Sequence, residues 1–395
     1  MNILFLHRNF PGQFKHLVKE LVKDRNNQIV FITNNKDVEI EGIEKIIYDI
    51  KQQPLANGYL NSYSEAVLHG QAAAQKAEEL KNKGFKPDII YAHSWGLSMF
   101  MKDVFPCIPL ICYFEWFYNA KGADFGFFTK ENSIESIEQL RCKNSSLLVD
   151  LCSCNAGISP MKWQKQQFPK EFQDKINVIH DGIDTEVCKP DENAKFEVNN
   201  LELTADDEVI TYTARGLEPY RGFPNFMKAV DVLLKKRSNA HFVIAGEDEV
   251  FYGLKIQGKT YKQIMLEQCD IDLSRVHFVG KLPFDKYLNF LQISSVHVYL
   301  TFPFVLSWSM LEAMSCGACI AASDTEPVKE VIKDNYNGLL FDFFNINQLI
   351  EKVEYALNNK EKIKSLKKNA RKTIIDNYAL RKLLPEHIKF INEKL

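Results

Sequence analysis

Two arginines and one glutamate carry the clearest chemistry in this 395-residue sequence. Arg215 and Arg221 flank the segment Arg215-Gly216-Leu217-Glu218-Pro219-Tyr220-Arg221-Gly222, which follows the β-like run Ile210–Ala214 and precedes a helical pattern. Two guanidinium groups at the carboxyl end of a strand can neutralise a diphosphate and stabilise its growing charge as it leaves. Basic residues at a helix start oppose the helix dipole, so an anionic ligand accounts for them better than a pair of surface arginines does. The glutamate lies in the run Thr301–Gly317. The β-like Val296–Leu300 comes first; then Leu306, Met310, Leu311 and Met314 recur at helical spacing, and Gly317 falls where a C-terminal cap belongs. Glu312 lies off that apolar stripe, on the side of Trp308 and Ser309. A strand that feeds a helix start offers unpaired amides to an anion, here those of Leu306, Ser307 and Trp308. A carboxylate two turns in then reaches a polar group beyond it. A nucleotide sugar has that layout, with diphosphate first and ribose hydroxyls next. The alternative is an ordinary amphipathic helix with a solvated glutamate.

The first half of the chain has its own candidates at strand ends. The loop Asn9-Phe10-Pro11-Gly12-Gln13-Phe14 links a first strand to a first helix. It is not a dinucleotide fingerprint, but Gly12 permits close backbone approach at a helix start; a plain Pro-Gly turn is the alternative. His93 ends the strand-like Asp88–Ala92, a placement as consistent with a ligand contact as with a structural histidine. Glu115 follows another strand among Tyr113, Phe114, Trp116, Phe117 and Tyr118. Rings that stack on pyranose faces beside a carboxylate suit a sugar acceptor; a buried aromatic core with a paired glutamate is the competing reading. His180-Asp181-Gly182-Ile183-Asp184 has turn chemistry and reads as a hinge and cap.

These residues need strands to carry them, and the sequence supplies strands in alternation with helices. Strands are expected at 2–7, 28–33, 44–48, 88–92, 109–113, 153–157 and 176–179, with helices at 13–24, 61–83 and 129–150. The polar, acidic stretch Lys189–Asp207 reads as the approach to a domain boundary. Strands resume near 209–214, 240–245, 275–279, 296–300, 318–322 and 338–341, and helices close the chain from about 345. Such alternation predicts an α/β protein of two doubly wound parallel-sheet domains facing a cleft, with ligands at the strands' carboxyl ends. A hydrophobic fraction of 46%, a charged fraction of 25% and a net charge of −2 give no basic field for nucleic acid. No apolar run reaches the roughly 20 residues needed to span a bilayer. The N-terminus reads as a first strand rather than a signal peptide. Nine cysteines without zinc spacing are expected to be buried free thiols. The lysine-rich stretch 360–372 reads as a solvated helix face, with peripheral contact to an anionic membrane as the alternative.

The Leu311-Glu312-Ala313-Met314 helix resembles that of the group-1 retaining glycosyltransferases (family 4 type), which have the GT-B fold. Arg215 and Arg221 resemble the Arg and Lys of that family's phosphate loop, with arginine where lysine is usual. Ile244-Ala245-Gly246-Glu247, Phe278-Val279-Gly280-Lys281-Leu282 and Asn337-Gly338-Leu339 continue the likeness in order. The resemblance implies a Rossmann-like acceptor domain over 1–185, a nucleotide-sugar domain over 186–375, and a helix over 376–395 that packs back on the first. It assigns the diphosphate to Arg215, Arg221 and the amides at Leu306, Ser307 and Trp308. Ribose falls to Glu312, the sugar side to Gly246, and the base to the backbone at Lys281 and Leu282. Gly12 would lie against the diphosphate and acceptor, His93 against the sugar near the reacting carbon, and Gln13 and Glu115 with the acceptor.

One position departs from the family: Phe304 stands where a second glutamate usually contacts the sugar. A subgroup with a Phe-Pro-Gly-Gln loop and a similar Pro-Phe-Val-Leu-Ser-Trp-Ser sequence shares this feature. The expectation is a cytoplasmic, metal-independent, retaining enzyme with no cofactor, peripheral at the inner membrane face if it meets a membrane. It would move a sugar from a nucleotide diphosphate donor to a glycan, lipid-linked or small-molecule hydroxyl in surface glycan or glycoconjugate synthesis. A catalytically weak nucleotide-sugar-binding subunit and a GT-B sugar-nucleotide epimerase are the alternatives.

Overall fold

The computed structural model describes residues 1–53, 58–128, 133–253 and 255–395. The chain divides into two compact units: Met1–Gly182 with Arg381–Leu395, and Ile183–Leu380.

The first unit is built on a parallel sheet of seven strands: β1 (Asn2–Leu6), β2 (Gln28–Thr33), β3 (Ile43–Ile47), β4 (Ile89–His93), β5 (Leu110–Tyr113), β6 (Ala156–Ser159) and β7 (Ile176–Val178), in the order β3-β2-β1-β4-β5-β6-β7. The central strands are apolar throughout because helices cover both faces. Leu4, Leu6, Val30 and Ile90 pack on one face; Ile3, Phe5, Ile29 and Phe31 pack on the other with Phe390 and Ile391 of the C-terminal helix Leu380–Asn392. Helices Asn61–Asn82, Ile134–Lys143 and Ser145–Ser153 also belong to this unit. Strand order reverses between β1 and β4, so their carboxyl ends, at His7 and His93, form its topological switch point.

The second unit opens with a hairpin, β8 (Lys195–Val198) and β9 (Leu201–Thr204). Its sheet has six parallel strands, β10 (Val209–Gly216), β11 (His241–Glu247), β12 (Val276–Gly280), β13 (Val296–Tyr299), β14 (Ile320–Ser323) and β15 (Leu339–Phe341), in the order β12-β11-β10-β13-β14-β15. The switch point lies between β10 and β13.

The sequence expectations hold for the sheets and shift at three places. The stretch 189–207 is not mere linker: Asn199 and Asn200, at φ 50° and 65°, form the tight turn of a hairpin whose Phe196 and Leu203 are buried. The strand expected at 153–157 begins at Ala156, because the buried side of Leu147 and Leu151 carries a helix on to Ser153. The helix expected over 129–150 is two helices, and its first residues, 129–132, lie outside the described residues. All nine cysteines are free, but only five are buried: Cys142 and Cys269 are partly exposed, and Cys107 and Cys152 are exposed. In the helix Lys360–Asn377, Ile363, Leu366, Ala370 and Ile374 are buried and most of the lysines face outward. Among the described residues no helix is long and apolar enough to cross a membrane, and no three His, Cys, Asp or Glu side chains gather as around a metal ion.

Candidate functional site

The switch point of the second unit holds a pocket of ≈ 420 Å³. β10 contributes Thr213, Ala214 and Arg215; β11 contributes Ala245, Gly246 and Glu247; Gly280, Lys281 and Leu282 come from the end of β12. Ser307 and Ser309 come from the start of the helix Trp308–Ser315, which follows β13. Gly246 sits at φ 148°, and a Cβ there would lie 2.4 Å from the Ala214 carbonyl oxygen, so only glycine lets β10 and β11 close up here. Lys281 is exposed, with its Nζ 3.6 Å from Glu247 Oε1.

The two arginines occupy different environments. Arg215 is exposed and lines the pocket, its guanidinium 4.1 Å from the centroid of the Phe251 ring. Arg221 is buried outside that lining; its Nη1 donates to Thr301 Oγ1 (2.8 Å), and its guanidinium lies 5.3 Å from the centroid of Tyr252. At the helix start, the Ser307 side chain caps the Ser309 amide, and the Ser307 amide donates to the Tyr299 hydroxyl (3.0 Å). Leu306 is buried and Trp308 is 41% exposed. Glu312 accepts a hydrogen bond at Oε2 from the Tyr287 hydroxyl (2.9 Å), and Tyr287 itself lines the pocket. Burial and Glu312 together raise the Tyr287 phenol well above its ordinary pKa of 10.0, which keeps it a neutral donor. Phe304 is buried against Phe302 and Tyr252.

The first unit's switch point gathers its candidates around one hydrogen-bonded chain, His7–Gln13–Glu115, with His93 beside its end. The Asn9 amide donates to His7 Nδ1 (2.8 Å), which leaves the neutral ring's proton on Nε2, facing Gln13 Oε1 at 2.6 Å. Gln13 Nε2 donates to Glu115 Oε1, and the other Glu115 oxygen lies 3.5 Å from His93 Nε2. Burial raises the Glu115 carboxyl, but hydrogen bonding and charge from His93, with the Gln13 amide, outweigh it and leave the carboxyl below its ordinary value. Burial and the neighbouring His93 hold His7 well below 6.5, so it is neutral. Gly12 is packed on this chain: at φ 55°, a Cβ would lie 2.5 Å from His7 Nε2. Beside it, Tyr113 donates to Asp181 (2.8 Å), in the turn that ends this unit at Gly182.

Arg215, Gly246, Lys281, Leu282 and Ser307 are therefore brought to one pocket, with Glu312 joined to it through Tyr287. Gly12, Gln13, His93 and Glu115 meet in the first unit. Sequence reasoning passed over Tyr287, Phe251 and His7. Tyr287 had a findable signal in the helical spacing of Tyr287, Phe290 and Leu291 after the Lys281-Leu282 turn; Phe251 had none.

Residues 25–188 match the model of the glycosyl transferase family 4 group, and residues 194–373 match that of the glycosyl transferases group 1. An uncharacterized glycosyltransferase from Methanocaldococcus jannaschii is 26% identical over 205 residues, 49% of this chain and 50% of the relative. The chain thus spans about half the length of the curated relatives it matches. Among solved structures, sucrose-phosphate synthase from Thermosynechococcus elongatus superposes with a TM-score of 0.74 at 13% identity, over 100% of this chain and 98% of that one. Anabaena HepE in complex with UDP-glucose gives a TM-score of 0.71 at 15% identity, over 100% of both chains. At such identities the likeness is one of fold, and that fold is GT-B. Along residues 25–373 the chain thus carries, in succession, a glycosyl transferase family 4 region and a glycosyl transferases group 1 region on a GT-B fold.

Proposed function

We propose that the chain transfers a glycosyl group from a nucleotide diphosphate sugar to a hydroxyl acceptor, with retention of anomeric configuration, in the synthesis of a surface glycan or glycoconjugate. The observation that carries this reading is the pocket at the β10/β13 switch point, where Arg215, the Ser307 helix start and the Tyr287–Glu312 pair meet. Arg215 and Arg221 would take the charge that grows on the diphosphate as the bond from the sugar's anomeric carbon to the phosphate oxygen breaks. The acceptor oxygen bonds to that carbon on the same face, and its proton passes to the leaving phosphate, so no protein base is assigned. His93 would meet the donor sugar near the reacting carbon, and the acceptor would be served by Glu115 and Gln13. Uridine is the first base to test, because HepE, of the same fold, was solved with UDP-glucose.

The test is calorimetry of UDP binding. Glu312→Gln keeps the shape and the Tyr287 contact but removes the charge that strengthens hydrogen bonds to ribose hydroxyls. It is expected to weaken binding by on the order of 1.5–3 kcal/mol, about 10- to 150-fold. An unchanged affinity would remove Glu312 from the ribose.

Metal independence is part of the proposal, since two guanidinium groups supply the charge that a divalent cation would otherwise bring. Turnover is expected to survive EDTA. Loss with EDTA and restoration by manganese or magnesium would refute it.

Phe304 favours a second reading, a nucleotide-sugar-binding subunit of low activity, because a phenyl ring accepts no hydrogen bond from a sugar hydroxyl. Turnover with any hydroxyl acceptor decides against that reading.

A further inference from the structure

The two arginines of the donor site each lie against an aromatic ring, and one carboxylate holds both rings. Arg215 faces Phe251 and Arg221 faces Tyr252. Those rings belong to consecutive residues, and both of their amides donate to the same atom, Oε2 of Glu218, at 2.7 Å each. Glu218 stands three residues from either arginine in sequence and is wholly buried. Its carbonyl oxygen accepts from the amides of Arg221 and Phe223, both at 3.2 Å, which ties it to the short turn that carries Arg221. The segment bearing the rings is also pressed onto the end of β10. A Cβ at Gly216 would lie 2.4 Å from the Glu249 carbonyl oxygen and 2.7 Å from the Phe251 ring.

This place calls for a hydrogen-bond acceptor. Two successive amides converge on one oxygen, and charge-assisted hydrogen bonds are about twice as strong as neutral ones. Burial pushes the Glu218 carboxyl up, while the amides of Tyr252 and Phe251 and the charges of Arg221 and Arg215 oppose the rise. Among the described residues no ion pair joins Glu218 to either arginine. The carboxylate is used on backbone amides, which leaves the guanidinium charge available to a ligand while fixing the rings that support it.

We propose that Glu218 is the positioning residue of the donor pocket: through the amides of Phe251 and Tyr252 it places the two rings against which Arg215 and Arg221 rest, and so sets where both guanidinium groups meet a nucleoside diphosphate. The inference rests on the reading of this pocket as the diphosphate site.

The experiment is a double-mutant cycle on the full chain, with UDP as the probe and calorimetry as the readout. Glu218→Ala is expected to weaken UDP binding about 10-fold in the parent and 3-fold or less in an Arg215→Ala background, because the residue acts through the arginine. Glu218→Gln retains an acceptor oxygen and falls between. Hydrogen exchange at the Phe251 and Tyr252 amides should quicken in Glu218→Ala. If Glu218→Ala does not fold by circular dichroism, the same cycle is run with Glu218→Gln. An equal fold-loss in both backgrounds, or unchanged affinity despite faster exchange at those amides, overturns the proposal. If the parent does not bind UDP, or if both Arg215→Ala and Arg221→Ala bind it as the parent does, the diphosphate reading fails and takes this one with it. If the arginine variants weaken and the Glu218 variants do not, only the role of Glu218 fails.

Discussion

Alanine at Arg215 or at Arg221 is expected to lower the rate of glycosyl transfer about 100-fold or more, the scale seen when one preorganised charge stabiliser is removed. The loss should fall mainly on turnover, because charge on the diphosphate is greater in the transition state than in the bound donor. The environments of the two residues predict different secondary effects. Arg215 is exposed against Phe251, so its removal should leave the fold intact. Arg221 is buried and donates to Thr301, so its removal also leaves a cavity and takes a donor from the Thr301 hydroxyl, which keeps its own bond to the Phe302 carbonyl. Lysine at Arg221 keeps the charge and should be milder than alanine. Lysine at Arg215 should cost more than lysine at Arg221 if the Arg215 guanidinium makes a forked contact to phosphate oxygens. Steady-state kinetics on the four variants, with circular dichroism to confirm folding, decide the matter. If both alanine variants turn over like the parent, the diphosphate lies elsewhere.

The second large effect is on stability and comes from Asp150. This carboxyl is fully buried under the loop that follows β4 and accepts the Ser98 hydroxyl at 2.6 Å. Burial raises its pKa from 3.8 to about 7, against the opposing pull of Ser98 and of the Gly96 and Trp95 amides. A carboxyl whose pKa is raised on folding holds its proton more tightly in the folded state. Its contribution is therefore present at low pH and is lost as pH rises from the unfolded value of 3.8 to about 7. Between pH 5 and pH 8 that loss is on the order of 3 kcal/mol. Asp150→Asn carries no titrating group and should lack this part of the pH dependence. Urea unfolding followed by tryptophan fluorescence is the measurement, since Trp95, Trp116 and Trp163 all lie in the first unit. A variant whose midpoint follows the parent's pH curve in parallel would show that Asp150 does not titrate in this range. The same residue steadies the loop that starts at His93, so the stability of the unit and the shape of its switch point depend on one buried acid.

Much of this protein was determined by its sequence alone. Parallel strands buried on both faces read as near-continuous apolar runs between polar turns; Ile3–Leu6 and Ile89–Ala92 announce themselves in that way, and Ile210–Tyr212 and Val296–Leu300 do so with one polar residue each, Thr211 and His297, which pair with each other. The helix Trp308–Ser315 was legible from its apolar spacing and from Gly317 just past its end. The arginines were legible as candidates because they stand beside a strand end, and Glu312 because it lies off the apolar stripe of its helix. What escaped had a weak local signal. The hairpin at 195–204 rests on an Asn-Asn turn inside a polar stretch that also reads as linker.

Tertiary structure alone decided which strand ends meet. Nothing local says that β10 lies beside β13, or β1 beside β4, yet those pairings bring Arg215 to Ser307 and His7 to His93. It also decided that Arg221 is buried while Arg215 is exposed, that Tyr287 reaches Glu312, and that Glu218 accepts from Phe251 and Tyr252 more than thirty residues away. The C-terminal helix likewise joins the core of the first unit through Phe390 and Ile391. The physical reason is the same in each case. Secondary structure follows from short-range periodicity and sterics, which a sequence displays directly. Burial and side-chain partnership depend on which distant segments share a face, which is settled when the apolar faces of the whole chain are packed together.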